Sequence, residues 1–235
     1  MDLIPSPPTN FEGEAFYELR PREKRTFHTV LDAAKLLDSD RSRRSHVRWT
    51  RSDGGFELHL EHPLRSGRTT EQVHFESTAQ GILLRRLTRK VFDVSDAQVR
   101  LEAVDFGAAP MRLPDQTYPE VVLPFILGWM PADKTTRSVY AWINDRFVSK
   151  VYVESQGPTH VKVLGRKRAA LEVLMYPDLN DWVSLGPVLT RLAKPLVPKY
   201  RMWFDPEPPH RPLRYEGPYG PPGAPEIVIE LSEQR

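Results

Sequence analysis

The 235-residue chain contains no cysteine, which excludes a disulfide scaffold, thiolate catalysis and a Cys-ligated zinc or iron–sulfur site. It does not fix the compartment, because an oxidising one tolerates a cysteine-free chain. A charge excess is missing as well, with Lys+Arg at 33 against Asp+Glu at 31. Binding to a phosphate backbone rests on an excess of clustered cations, so this near-balance points away from a nucleic-acid partner. Long apolar runs are also lacking. The longest, Val121 to Met130, is broken by Pro124 and Gly128 and falls short of the roughly 18 residues of a membrane span. No transmembrane segment is expected. The opening Met1-Asp2-Leu3-Ile4-Pro5 has an acid where a secretory signal carries basic residues, and prolines where it carries an apolar core. This predicts a cytoplasmic chain, or a periplasmic one if a leader has been removed.

Two catalytic signatures are absent too. Gly217-Pro218-Tyr219-Gly220-Pro221-Pro222-Gly223 has glycines, but its prolines lack the N–H groups that cradle a phosphate. Ser184 is followed at two residues by Gly186 but has no glycine two residues before it, so the nucleophile-elbow pattern is incomplete. No cofactor is expected.

What the chain does have is proline, 23 residues of it, clustered at 5–8, at 110–131 and at 206–225. Proline is confined to the joints between elements or to sheet edges. Between the clusters, apolar and polar residues alternate with period two, the pattern of half-buried strands. Phe56, Leu58 and Leu60 alternate with Glu57, His59 and Glu61, and Val73 and Phe75 with His74 and Glu76. Ile82–Phe92 carries apolar residues on both faces. A first antiparallel meander is predicted over 45–106. A second runs over 137–231, with turns at Asn144-Asp145, Gln156-Gly157-Pro158 and Gly165–Arg168. Helical periodicity is scarce: His28–Leu37, Tyr118–Gly128 and Trp182–Leu196 are the candidates, the last with Leu185, Val188, Leu189 and Leu192 at helical spacing.

The predicted fold is α+β: a strongly curved antiparallel sheet forming an incomplete barrel, with two or three helices covering its mouth. Residues 1–13 read as a disordered or extended tail. Residues 14–235 read as a single domain, its two meanders joined by the Pro-rich helical segment.

A curved sheet with an unfilled interior makes an apolar pocket, whereas helices at 118–128 and 182–196 would turn the same space into ordinary core. For the pocket, the lining candidates are Phe56, Leu58, Phe75, Phe125, Trp129, Trp142 and Trp203. The basic cluster Arg85-Arg86 to Arg89-Lys90 spans both faces of its strand: it reads as a solvated surface, or an inward arginine, with Arg86 the candidate, pairs with Glu102 or meets the polar end of a ligand, because its fork suits a carboxylate or phosphate. His59, His62 and His74 are the most site-like polar group: with a turn centred on Ser66-Gly67, His59 lies opposite His74, close enough for a shared metal with Glu57, Glu61 or Glu76. Alternating His and Glu on a solvent-facing strand needs no such cause, and no metal is assigned. His59, His74 and Tyr215 are the candidates for acid–base chemistry if the scaffold is an enzyme.

The C-terminal third carries a family resemblance. Tyr200-Arg201-Met202-Trp203-Phe204-Asp205 is followed across a Pro-rich loop by Arg211-Pro212-Leu213-Arg214-Tyr215-Glu216-Gly217, and Glu226–Leu231 closes the chain. This order resembles the closing strands of the bacterial LolA-like (lipoprotein-carrier) superfamily, and in particular an uncharacterised domain family within it. The resemblance implies a bent, incomplete barrel around an apolar cavity, in which carriers of the superfamily bind acyl chains. The missing leader departs from the many exported relatives. Three functions follow as expectations: binding of a hydrophobic or amphipathic small molecule such as a lipid, a biosynthetic enzyme acting on a hydrophobic intermediate, or a module that docks a protein partner.

Overall fold

The computed structural model describes residues 3–8, 11–22, 44–64, 66–108, 113–178, 181, 199–218 and 226–235. Thirteen strands form one sheet: β1 (Gly13–Pro21), β2 (Arg44–Ser52), β3 (Gly55–Leu64), β4 (Gly67–Thr78), β5 (Gly81–Phe92), β6 (Gln98–Asp105), β7 (Thr117–Pro119), β8 (Thr136–Asn144), β9 (Phe147–Val163), β10 (Arg166–Pro177), β11 (Tyr200–Phe204), β12 (Pro212–Pro218) and β13 (Glu226–Gln234). Their order is β6-β5-β4-β3-β2-β1-β13-β12-β11-β10-β9-β8-β7. Each half is a meander of neighbours in sequence. β1 joins the halves by pairing antiparallel with both β2 and β13, so the link within the sheet is the N-terminal strand and not the Pro-rich segment.

The two ends of the sheet approach without pairing as strands. Tyr118 of β7 donates its hydroxyl to the Ile82 carbonyl of β5 at 3.0 Å and accepts from the Ile4 amide at 3.2 Å. Phe106, just beyond β6, meets Trp142 of β8 edge-to-face at 5.3 Å. The sheet is curved and unclosed, as the sequence predicts. The N-terminal residues belong to this seam: Ile4 and Phe11 are buried, and the Ile82 amide donates to the Ile4 carbonyl at 2.8 Å. Gly81 (φ +136°) permits that approach, since a Cβ there would lie 2.3 Å from the Ile4 carbonyl oxygen. Ile4 and Phe11 thus anchor this irregular N-terminal stretch to the core, while Ser6 and Glu12 stay exposed.

The helical expectations fare differently. Tyr118–Gly128 is not one helix. Thr117–Pro119 is a strand paired parallel with β8, and a short α1 (Leu123–Ile126) follows between two single 3₁₀ turns, Glu120–Val122 and Leu127–Trp129. Pro119 is extended (φ −57°, ψ 139°), and no side chain caps the segment. Pro124 suits only a first turn. Gly128 sits so close to β11 that a Cβ would meet the Phe204 ring at 2.4 Å. Among the described residues this is the single helix over the trough. The candidates at 28–37 and 182–196 lie outside the described residues.

Two irregularities in the ladders explain what periodicity could not resolve. Gln156-Gly157-Pro158 is not a turn: β9 runs through it for 17 residues, with Gln156 as an extra residue opposite Glu172 and Val173 of β10. In β5 the register shifts at Arg85, since His74 pairs with Arg86 but Phe75 pairs with Leu84. A one-residue bulge reverses the side-chain alternation beyond it. Ile82 and Leu84 point inward before the bulge, and Leu87, Arg89 and Val91 after it. The strand thus looks apolar on both faces although only one face is buried.

Candidate functional site

One end of the trough is solid. Phe56 of β3 stacks on Phe75 of β4 at 4.8 Å, and Phe11 and Trp129 meet Phe56 edge-to-face at 5.3 and 5.4 Å. Leu58 is also fully buried there. The other end holds a cavity of about 280 Å³. This is about twice the ~150 Å³ apolar void that accepts benzene, and just under the usual range of small-ligand sites. Inward side chains of β3, β4, β5 and β8 through β13 surround it, with Glu120, Leu123 and Phe125 of the helical segment across it.

The walls are apolar: Phe125, Ala141, Val151, Met175 and Ile229 are buried and face the cavity. A polar pole is built from His62, Glu71, Arg89 and Glu120. His62 and Glu71 occupy the inward parity of their strands, in line with Phe56, Leu58 and Leu60 on β3 and with Val73 and Phe75 on β4. Arg89 reaches the pole because of the bulge at Arg85. Its Nε donates to Glu71 Oε1 at 2.6 Å, and one terminal nitrogen to Glu102 Oε2 at 3.3 Å. Glu71 is 4% exposed. Its second carboxylate oxygen, Oε2, and Glu120 Oε2 are both buried without a hydrogen-bond partner.

Electrostatics follow from burial and the surplus of acids. Desolvation pushes Glu120 up to about 8, against the pull of Arg89 and helped by Glu71 and Glu102. Burial likewise raises the Glu71 carboxyl, although Arg89 counteracts it. Burial takes His62 down to about 4, leaving a neutral imidazole whose Nδ1 lies 2.7 Å from Ser45 Oγ.

A pH prediction follows for Glu120. The folded state holds its proton more tightly than the unfolded chain, where the carboxyl titrates near 4.5. Its contribution is therefore fully present below pH 4.5 and is lost as pH rises through about 8. Glu120→Gln has no proton to lose. Between pH 4.5 and 9 the variant is expected to gain about 2–3 kcal/mol relative to the parent in urea unfolding, a figure reduced for the solvent that reaches the carboxyl. The opposing slope of His62 is common to both proteins and cancels. Parallel stability profiles would refute the assignment.

The structure places the sequence-derived candidates as follows. Phe125 lines the cavity. Phe56, Leu58, Phe75 and Trp129 face inward but form the solid end. Trp142 alternates with the cavity-lining Ala141 and Ile143 and so lies on the opposite face, against Phe106. Trp203 is on the convex face, pairing with Arg214 and covered by the Arg201 and Arg214 guanidiniums at 5.3 and 5.9 Å. Arg86 is exposed, because the bulge at Arg85 gives the inward position to Arg89. His59 and His74 are not opposite each other: His59 pairs with Gln72 and His74 with Glu57, a register in which Leu64 pairs with Gly67. Both imidazoles flank Glu57 on the outer face, at 3.0 and 3.6 Å. No group of three metal-ligating side chains occurs among the described residues. Tyr215 lines the cavity, its hydroxyl donating to the Pro218 carbonyl.

Glu71 and Glu120 have no part in the sequence-derived site; His62 enters it only as a companion of His59 and His74, and Arg89 only as a member of the basic Arg85–Lys90 cluster, of which it is the arginine that meets Glu102. The readable signal was a titratable residue at an apolar parity position, which His62 and Glu71 both show. Arg89 was hidden by the bulge.

Comparison with known proteins places the fold. No protein-family model matches the sequence, and no curated protein matches it. The crystal structure of a β-barrel-like protein of domain of unknown function DUF1849 from Brucella abortus superposes with a TM-score of 0.53 at 12% identity, covering 95% of this chain and 96% of that one. The Mycobacterium tuberculosis lipoprotein LppX aligns over 96% of this chain and 88% of its own at 10% identity, with a TM-score of 0.31, which is too low to bear on the fold. The likeness to the DUF1849 protein shows the fold alone, a curved and unclosed antiparallel sheet spanning nearly the whole of both chains. Among the described residues, no helix is long and apolar enough to cross a membrane.

Proposed function

We propose that the protein binds a hydrophobic or amphipathic small molecule in the cavity between β3–β5 and β8–β13. The observation that carries this reading is a roughly 280 Å³ void walled by apolar side chains in an otherwise tightly packed trough. Protein interiors are close-packed, and unfilled apolar space forfeits dispersion contacts on every wall. A ligand that fills the space recovers them and removes its own apolar surface from water. Glu71, Arg89 and Glu120 then fix the orientation of the polar end, while Phe125, Val151 and Met175 hold the chain.

The test uses n-octanol as a neutral probe. At about 0.8 kcal/mol per buried CH₂, six buried groups give about 5 kcal/mol, a dissociation constant near 0.2 mM. Octanol at a few millimolar is expected to raise the melting temperature of the parent. Val151→Trp fills the void from a buried wall position and is expected to abolish that response while remaining folded. Equal stabilisation of both proteins would place the alcohol elsewhere and refute the proposal.

A further inference from the structure

The polar pole of the cavity has an unbalanced charge set. Arg89 is flanked by Glu71 and Glu102, with Glu120 also in its field. One largely buried guanidinium thus faces three carboxyls, of which, among the described residues, Glu102 alone has a second cation, the exposed Arg100 at 3.9 Å. Arg89 is committed to two of them by hydrogen bonds, and two buried carboxyl oxygens, Glu71 Oε2 and Glu120 Oε2, are left without donors. Glu71 is the telling member: its side chain is more than nine-tenths buried, lines the cavity and has one oxygen satisfied and one not. An orphaned buried acceptor costs free energy until a donor reaches it.

We infer that the cavity takes an amphiphile whose head is an ammonium group, seated between Glu71 and Glu120 with its alkyl chain along Phe125, Val151 and Met175. This rests on the small-molecule binding proposed above and gives the ligand a chemical class. An ammonium carries three donors and no acceptor, which matches orphaned acceptors. A carboxylate or phosphate head does not match. It would have to draw Arg89 away from Glu71 and so leave a buried carboxylate unpaired, the expensive outcome for a buried ion pair. Arg89 is therefore the internal counter-ion of the site and not the reader of an anionic head.

The other groups around this position agree. The phenol of Tyr200, held protonated by burial and by Glu120, lines the same space. His62 is neutral there and adds no competing cation. Glu120 exchanges its proton for the ligand's charge, so binding should tighten as pH rises from 6 towards 9.

Three probes of equal chain length separate the possibilities: n-octylamine, n-octanol and octanoate, titrated below micellar concentrations at pH 8. Octylamine is expected to bind at least tenfold more tightly than octanol, and octanoate at least tenfold more weakly. Glu120→Gln should bring the amine down to the level of octanol without changing octanol binding. Glu71→Gln, if it folds, should do the same. Octanol or octanoate binding as well as the amine would overturn the inference and leave the apolar site standing. Failure of all three probes to bind would overturn the binding proposal itself. An amine preference that survives both Glu variants would place the ammonium elsewhere and likewise overturn the inference.

Discussion

Phe56→Ala is expected to lower unfolding stability by about 3–5 kcal/mol, the range for emptying a fully buried aromatic site. Phe56 has no exposed surface and touches three rings, Phe11, Phe75 and Trp129, with centroids within 5.4 Å. Those contacts join residue 11 of the N-terminal segment, two strands of the first meander and the end of the helical segment. The loss is thus shared by parts of the chain that are far apart in sequence. The rings cannot collapse into the gap, because Phe75 is also held against Tyr118 at 6.4 Å and Tyr118 is tied by hydrogen bonds to the seam. Urea unfolding should show a lower midpoint with an unchanged slope. A cost under about 1 kcal/mol would mean that this end of the trough is as loosely filled as the other.

Arg89→Met is expected to be comparably severe, about 3–5 kcal/mol at pH 8, because it strands the Glu71 carboxylate in the interior. Glu71 is 4% exposed on its side chain and Arg89 19%, so little solvent screens the pair. Losing the guanidinium leaves burial unopposed at Glu71, and the cost should shrink as the pH falls and the carboxyl takes up a proton. Adding Glu71→Leu to Arg89→Met should recover most of the loss, because it removes the stranded charge together with its counter-ion. Arg86→Met, three residues away but outward, should stay within about 0.5 kcal/mol of the parent. If the two arginine variants behave alike, the bulge-dependent inward position of Arg89 is wrong.

The contrast between Arg86 and Arg89 shows how far the sequence can be read. Strand identity followed from alternation, and it held from Phe56 through Phe75 because nothing interrupts the pleat there. The curved sheet followed from the number of short-linked hairpins that must hide one face. Local register was less legible. A bulge leaves no mark in composition, so the sequence leaves open which face of β5 points inward and offers Arg86 in place of Arg89, and a Gly-Pro pair inside β9 reads as a turn. Trp142 and Trp203 stand among the expected cavity-lining residues. Their strand parity puts both on the other face, Trp203 beneath two arginines. The charged pole was partly legible. His62 and Glu71 stand at positions where their strands are otherwise apolar, a stronger indication than the outward His59 and His74, which attracted notice by type. What periodicity cannot report is volume: that, among the described residues, one end of the trough is plugged by aromatic rings and the other holds a cavity follows only from the three-dimensional packing.

The claim on which the account turns is that this cavity is a ligand site. Native mass spectrometry of the freshly purified protein, compared with Val151→Trp prepared in parallel, addresses it most directly. The account predicts that the parent carries a small adduct that is released on denaturation and is absent from the folded variant. Identical spectra for the two, with no adduct on either and no uptake of octylamine or octanol by the parent, would contradict it.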